Sequence, residues 1–367
     1  MSLLPKENTK EWKQEVNFYL NSTPEERTKR ALELGYNGRM SYENRMRERD
    51  IRLTQNNYSS ISSPPSKGIP IARPIPKIRI SPLKMEHTDL SEGEECLVAL
   101  VSDVHGGLKT PTYNSEVFKK RLETYKNAIV KFCLLHRKMR PIKKLIVPLL
   151  GDLVQGQQIG VQMLVEECEI IGAEDQIYDL LLPEFTNFFI NLLQLFEEIE
   201  IPGVEGNHGN INRRRDTLTK RSNWDTVFYR ALKASLARYD RIKVDPELNT
   251  WWKIIDINGW SFFMVHLDQI QSYQGIPFYG ISRKGLRWKQ SIPHNFDYIL
   301  GGHFHNPNYL YNDGVPTLIN GSFISDSDFP LVRMGLRDVP QQMCFFVNKK
   351  FGITAQYRVQ LDSSKIL

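Results

Sequence analysis

Cysteine is scarce in this chain: Cys96, Cys133, Cys168 and Cys344 are the only four in 367 residues, widely spaced and with no Cys-x-x-Cys pair. That spacing excludes a disulfide-stapled scaffold and a thiolate zinc site, and the apolar neighbours predict reduced core thiols in a reducing compartment. Long hydrophobic runs are missing as well. The most apolar helical stretch, residues 179–196, is interrupted by Pro183, Glu184, Asn187 and Asn191, and no window reaches the length that spans a bilayer. Residues 1–10 lack the apolar core of a secretory leader, so a soluble cytoplasmic protein with no membrane partner is expected. No internal repeat is apparent, which argues against a solenoid. The length allows one large domain or two ordinary ones.

Charge is present but uneven. The net charge is +6, and residues 1–90 hold 16 Lys and Arg against 11 Asp and Glu, so the basic character sits mainly in the N-terminal quarter. That asymmetry suits a polyanion partner, and equally a solvated basic face.

The most informative feature is where histidine falls. Of eight histidines, only His87, His136 and His294 lie outside five short segments: Ser102-Asp103-Val104-His105, Gly151-Asp152, Gly206-Asn207-His208, Val265-His266 and Gly302-His303-Phe304-His305. Each segment follows an apolar run that reads as a buried strand, at 97–101, 145–150, 201–204, 262–265 and 298–300. Carboxylate, imidazole and amide donors thus recur where a strand ends, the place where an open α/β sheet offers its residues to a ligand. An isolated Asp-x-His is usually surface polarity, and Gly-Asp alone is usually a turn; the set of five is harder to assign to chance. Mixed nitrogen and oxygen ligands without sulfur suit Mn, Fe or Zn.

In this order the five motifs resemble those of the calcineurin-like metallophosphoesterases, over about residues 96–325. The resemblance implies an α/β fold: a two-layer mixed β-sandwich flanked by helices, with two divalent metal ions at the C-terminal ends of the strands. It implies that Asp103, His105 and His305 hold one ion, that Asn207, His266 and His303 hold the other, and that Asp152 bridges both. Mn is the expected metal, with Fe, Zn and Mg as alternatives. His208 is implied as the catalytic imidazole. Two cations about 3.5–4 Å apart can clamp the attacking and leaving oxygens of a phosphoryl displacement, and an imidazole acting on the charged state contributes about 10²–10⁴-fold. The other reading of His208 is a structural hydrogen bond beneath the site.

The chain departs from the family pattern twice. Gly209 follows His208 where an acidic residue is common, and Leu267-Asp268 follows His266 where glycine is common. The missing acid would have oriented His208; Asp175, Asp225 and Asp268 are the candidates to replace it.

The N-terminal quarter reads as a small helical arm. Residues 7–20 place Trp12, Val16, Tyr19 and Leu20 at helical spacing. Thr23-Pro24-Glu25-Glu26 starts a second helix with a capping box, which is expected to bury Ala31, Leu32 and Leu34 and to stop at Gly35. After a turn over 36–40, Ser41 is expected to cap a basic helix to about Leu53, carrying Arg45, Arg47, Arg49 and Arg52. This is the layout of a helix-turn-helix DNA reader, and equally of an arm that packs on protein. The domains expected are therefore a helical segment 1–53, a Pro- and Ser-rich connector 54–95, and a phosphoesterase domain 96–367.

Within that domain, residues 115–137 (Val117, Leu122, Tyr125, Ile129 and Phe132 on one face), 174–198 and 224–239 read as helices, and the second half reads as short strands. Two basic clusters flank the motifs: Arg213, Arg214 and Arg215, then Arg283, Lys284, Arg287 and Lys289 around Trp288. Guanidinium groups beside a two-metal centre would hold a further phosphate and Trp288 would stack on a base; a solvated charge run around a packed tryptophan is the competing reading. Residues 155–176, rich in Gln and Glu, are expected at the rim of the site. The function expected is two-metal phosphodiester hydrolysis, with DNA as substrate and partner. The arrangement resembles the exonuclease-type members of the family and phage-encoded ones, whose compartment would be the host cytoplasm. The rivals are a phosphomonoesterase or cyclic-nucleotide phosphodiesterase, and a DNA-tethered adaptor with a structural metal.

Overall fold

The structure, a computed structural model, describes residues 4–5, 9–46, 93–156, 168–211, 222–245, 250–270, 277–312, 315–325 and 339–362. The expected connector, Arg47, Arg49, Arg52 and Arg213–Arg215 lie outside these residues apart from 93–95. Two compact units are present, Met1–Ile78 and Arg79–Leu367. Among the described residues no helix is long and apolar enough to cross a membrane.

The first unit contains α1 (Lys10–Asn21), α2 (Pro24–Glu33) and a third helix, α3, over 39–46. The capping box forms: Thr23 Oγ1 accepts the Glu26 N–H at 3.4 Å, and Glu26 accepts the Thr23 N–H at 2.7 Å. Gly35 follows α2 at φ 80°, a left-handed position glycine adopts without strain. Trp12, Ala31, Tyr42 and Met46 form the core, around a buried Glu15 that Arg30 and Tyr42 both reach. Two expectations are corrected. Leu32 is 62% exposed, because the stripe that meets Trp12 and Tyr42 runs through Ala31 and Leu34. The third helix begins at 39 rather than after Ser41, since the Gly38 carbonyl already accepts the Tyr42 N–H.

The second unit has two mixed sheets. The first has the order β11-β10-β1-β2-β3-β4, from β1 (Glu95–Ala99), β2 (Lys144–Ile146), β3 (Glu198–Ile201), β4 (Ile242–Val244), β10 (Gln341–Asn348) and β11 (Gly352–Gln360). Here β1 to β4 are parallel, and β10 and β11 add antiparallel at one edge. The second has the order β5-β6-β7-β9-β8, from β5 (Trp252–Ile257), β6 (Trp260–Val265), β7 (Tyr298–Gly301), β8 (Asn308–Asn312) and β9 (Val315–Ile319). In it β6, β7 and β9 are parallel.

Alternation along the strands builds the layers. Val98, Leu100, Ile146, Phe262, Met264, Leu300, Leu318, Phe345 and Val347 fill the space between the sheets. Phe263, Val265 and Ile299 point the other way, towards α8 (Phe278–Ser291). Helix α4 (Ser115–His136) and a run of α5 (Ala173–Asp175), a π-turn (Gln176–Leu181) and α6 (Leu182–Leu192) belong with the first sheet, together with α7 (Trp224–Leu236). The Tyr125 hydroxyl on α4 donates to the Leu100 and Met343 carbonyls, and that of Tyr229 on α7 to the Val204 carbonyl.

Strand ends differ from the sequence reading for a physical reason. Pro148 and Pro202 lack the N–H a ladder needs, so β2 and β3 stop short of 150 and 204. Single bridges carry the alignment on: Leu149 pairs with Val101 and with Gly203, and Val154 with Gly106. On α4 the buried stripe passes through Phe118 and Cys133, leaving the expected Val117 and Phe132 half-buried. The four cysteines are free, and all but Cys168 are buried.

Candidate metal centre

All five histidine- and carboxylate-bearing segments leave parallel strands at the same end of their sheets. Asp103 and His105 follow β1, Asp152 follows β2, Asn207 and His208 follow β3, His266 follows β6, and His303 and His305 follow β7. Their donor atoms converge. Asp103, His105 and His305 offer one ligand atom each within 4.8 Å of one another, as do Asp152, His266 and His303. A third such group, His105, Asp152 and His208, lies between these two and shares members with both. Asn207 joins through its amide oxygen, 3.2 Å from His266 Nε2.

Backbone conformation sets the site apart. Asp103, His105, Asp152, His303 and His305 all have left-handed φ, between 50° and 69°. Non-glycine residues in this region each cost about 1–3 kcal/mol, and such strain persists where surrounding contacts over-determine it. Those contacts are visible. The Asp103 carboxylate accepts the His303 N–H with both oxygens at 3.1 Å. The Asp103 carbonyl accepts the Phe323 N–H, and its N–H donates to the Gly151 carbonyl. Asp152 Oδ1 accepts the His208 N–H at 2.7 Å. Glycine makes the approach possible: a Cβ on Gly206 would sit 2.2 Å from the Asp152 nitrogen, and one on Gly302 2.5 Å from Asp103 Oδ2.

Two imidazoles have their orientation fixed from behind. His266 Nδ1 is 2.7 Å from the Leu150 carbonyl, an acceptor only, so Nδ1 carries the proton and Nε2 faces Asp152 Oδ2 at 2.9 Å. His105 Nδ1 is 2.8 Å from Gln155 Oε1, which leaves Nε2 towards His305 Nε2 at 3.3 Å. Gln155 is buried. The rim expectation for 155–176 missed this role, and only its position three residues after Asp152 hinted at it.

Electrostatics follow from burial. Asp103, Asp152, His105 and His266 are at most 2% exposed. Burial alone would raise the pKa of Asp152, but the His266 and His208 imidazoles hold it well below the ordinary carboxylate range. Burial would lower that of His266, which the Asp152 carboxylate overrides, pushing it up to about 10. Burial lowers His208 to about 3 and His303 to about 4. Two buried carboxylates ringed by imidazole nitrogens, with no Lys or Arg bonded to them among the described residues, are a donor set suited to divalent cations.

The two departures from the family pattern have local explanations. At Gly209 a Cβ would lie 2.3 Å from Asn223 Oδ1, so the space an acid would take is occupied by the start of α7. Asp225, on that helix, bonds backbone N–H groups of 152–154 and 206 instead of His208. Asp175 lies in α5 and Asp268 beside Lys284; neither takes the orienting role, and His208 Nδ1 is buried with no hydrogen-bond partner among the described residues. Leu267 keeps the glycine-like backbone of its position, at φ 82°, and its side chain uses the room left by Gly301, whose Cβ would lie 2.2 Å from Leu267 Cδ1.

Of the residues expected at nucleic acid, Arg45, Arg283 and Arg287 are exposed and Lys284 half-buried, bonded to the Gln269 carbonyl. Trp288 packs on Phe263 (5.3 Å between ring centres) and Trp251 (6.4 Å), which accounts for the ring without a base.

No protein-family model matches the chain, and a search of curated proteins finds no match. Solved structures do match. Wild-type Vps29 of Entamoeba histolytica, complexed with zinc, is 15% identical with a TM-score of 0.32, over 72% of this chain and 99% of that one. An archaeal phosphodiesterase is 11% identical with a TM-score of 0.33, over 72% and 98%. The phosphoesterase Yfce of E. coli is 12% identical with a TM-score of 0.32, over 72% and 99%. The two mixed sheets gather the donors of the site at the ends of their parallel strands.

Proposed function

We propose that this chain is a metal-dependent phosphodiester hydrolase that uses two divalent cations, Mn foremost, and takes DNA as its substrate. One observation carries the reading: donor side chains from five strand ends converge, and five of the residues that bear them are held in a left-handed backbone. Asp103, His105 and His305 would hold one cation, and Asn207, His266 and His303 the other, with Asp152 between them. When bound, the pair supplies Lewis-acid charge to the oxygens of a phosphoryl displacement.

The chain's own residues prepare the site. The Leu150 carbonyl and Gln155 fix which nitrogen of His266 and His105 faces inward. Asp152 presents one oxygen to His266 and bonds the His208 backbone with the other, which ties that loop to the Asp152 carboxylate. The His208 ring stands edge-on to His105, with ring centres 4.4 Å apart, and its Nδ1 is unclaimed among the described residues. It would bond a phosphoryl oxygen and stabilise charge there, or protonate the leaving oxygen. DNA as the diester is supported by the basic N-terminal quarter and by Arg283 and Arg287 on the exposed side of α8.

The test is a Mn-loaded assay on linear duplex DNA, single-stranded DNA, bis-p-nitrophenyl phosphate and p-nitrophenyl phosphate, with Asp152→Asn as control. Hydrolysis of DNA and the synthetic diester, abolished in the control, is expected. Activity on the monoester alone would replace this reading with a phosphomonoesterase, and bound metal without hydrolysis would replace it with an adaptor.

A further inference from the structure

Asp225 lies one residue inside α7, and its carboxylate is completely buried. Oδ2 accepts the N–H of Asp152 at 3.0 Å and of Gly206 at 2.9 Å, while Oδ1 accepts those of Leu153 at 3.0 Å and Val154 at 3.1 Å. Four backbone donors from two separate loops therefore end on one side chain. Each loop carries a residue of the metal centre: Asp152 itself, and Asn207 directly after Gly206.

The acceptor is in turn held in place. Asn223 Oδ1 accepts the Asp225 N–H at 2.8 Å, and Asn223 Nδ2 donates to the Gly206 carbonyl at 2.9 Å. The Trp224 N–H donates to the Gly209 carbonyl at 2.7 Å. The start of α7 thus grips the loop of 206–209 from both sides and the loop of 152–154 from one. Sheet pairing between these segments has already run out, its last bond being from the Val204 N–H to the Leu149 carbonyl. Contact between the loops is close enough that a Cβ on Gly151 would lie 2.5 Å from the Gly206 nitrogen.

We propose that Asp225 is a positioning residue of the metal centre, which sets the spacing of Asp152 and Asn207 and thereby shapes the half of the site formed by Asn207, His266, His303 and Asp152. This rests on the two-cation reading above. A merely structural carboxylate at this place would support the fold and leave the two halves of the site alike. A positioning carboxylate acts most on the half that holds Asn207, because that half takes a residue from each of the two loops it grips, whereas the other half takes only the shared Asp152.

The experiment is a Mn titration of the full chain by calorimetry, with electron paramagnetic resonance reporting the spin-coupled pair, on the unaltered protein and Asp225→Asn. The amide keeps the shape but has one acceptor oxygen instead of two, so two of the four bonds are lost, either those of Leu153 and Val154 or those of Asp152 and Gly206. Expected is a loss of about 10–100-fold at one site, a distinctly smaller loss at the other, and loss of the coupled signal at Mn concentrations that saturate the unaltered protein. Equal weakening of both sites, or two unweakened sites with the coupled signal intact, overturns the proposal. Should Asp225→Asn fail to fold, Asn223→Ser decides, since serine still offers an oxygen to the Asp225 N–H but loses the amide donor to the Gly206 carbonyl and Asn210 Oδ1: a selective loss at one site supports the proposal and unchanged sites overturn it. An unaltered protein that binds no Mn pair defeats the two-cation reading instead.

Discussion

Both carboxylate oxygens of Asp103 accept the backbone N–H of His303 at 3.1 Å, across 200 residues of sequence. One sheet is thereby tied to the other at the centre of the site, since Asp103 follows β1 and His303 follows β7. Gly302 lets this happen, because a Cβ there would stand 2.5 Å from Asp103 Oδ2 and 2.9 Å from Ser102 Oγ. Ser102 cannot yield easily: its hydroxyl donates to the Gly321 carbonyl and accepts from Asn320 Nδ2.

Gly302→Ala is accordingly expected to cost about 1–3 kcal/mol of stability through overpacking and to weaken binding at the Asp103, His105 and His305 half of the site by at least about tenfold. Thermal melts with and without Mn measure both. A variant with unchanged melting and unchanged Mn response would show that the Asp103 carboxylate has room to move.

For His208 the expectation concerns turnover. Its backbone is bound by Asp152 but its Nδ1 is not engaged, so His208→Ala removes a ring without removing a bond that holds the site. Hydrolysis should fall about 10²–10⁴-fold, with bound metal close to that of the unaltered protein. Loss of metal in step with activity would make His208 a ligand, a place the geometry also offers beside His105 and Asp152.

The motif segments were legible in the sequence because a strand-end ligand needs a short apolar run followed by a carboxylate or imidazole, and both parts are local. The strand limits were less legible. Pro148 and Pro202 end the ladders early, yet the bridges at Leu149 and Gly203 hold the chain in line, so the ligands arrive where an unbroken strand would have brought them. Helix α8 escaped notice because Pro277, Gly280 and Gly285 weaken its local signal, although Ile281, Gly285 and Trp288 fall on its inward side. Gln155 and Asp225 could not have been assigned from sequence: their partners are a ring nitrogen 50 residues away and backbone groups up to 73 residues away, fixed only once the loops are stacked.

Gln155 provides a test of how far the site depends on such a partner. Its Oε1 accepts from His105 Nδ1, so Gln155→Leu leaves that buried nitrogen unsatisfied and frees the ring to turn. A loss of about 10–100-fold in Mn affinity is expected, with the effect on the half of the site containing His105. Gln155→Glu restores an acceptor and should recover most of the affinity. Equal affinity in Gln155→Leu would assign the bond to packing alone.

Far from the strand ends, Glu95 at the start of β1 supplies a pH-dependent contribution that owes nothing to metal. It is 4% exposed, and its carboxylate meets Arg140 Nη1 at 2.6 Å, Thr354 Oγ1 at 2.8 Å and His136 Nδ1 at 3.6 Å. Burial alone would raise its pKa, but these partners together hold it below the ordinary value of 4.5. A carboxyl depressed in the folded state adds stability that is fully present above its unfolded value and is lost as pH falls through the folded one. Glu95→Gln should therefore cost about 1.5–3 kcal/mol at pH 7, the usual contribution of hydrogen bonds to a charged group. The gap between variant and unaltered protein should narrow as the pH is taken below 4.5. Urea unfolding of both proteins across pH 3–7 measures it, and a gap that stays constant over that range would show that the charge on Glu95 contributes nothing.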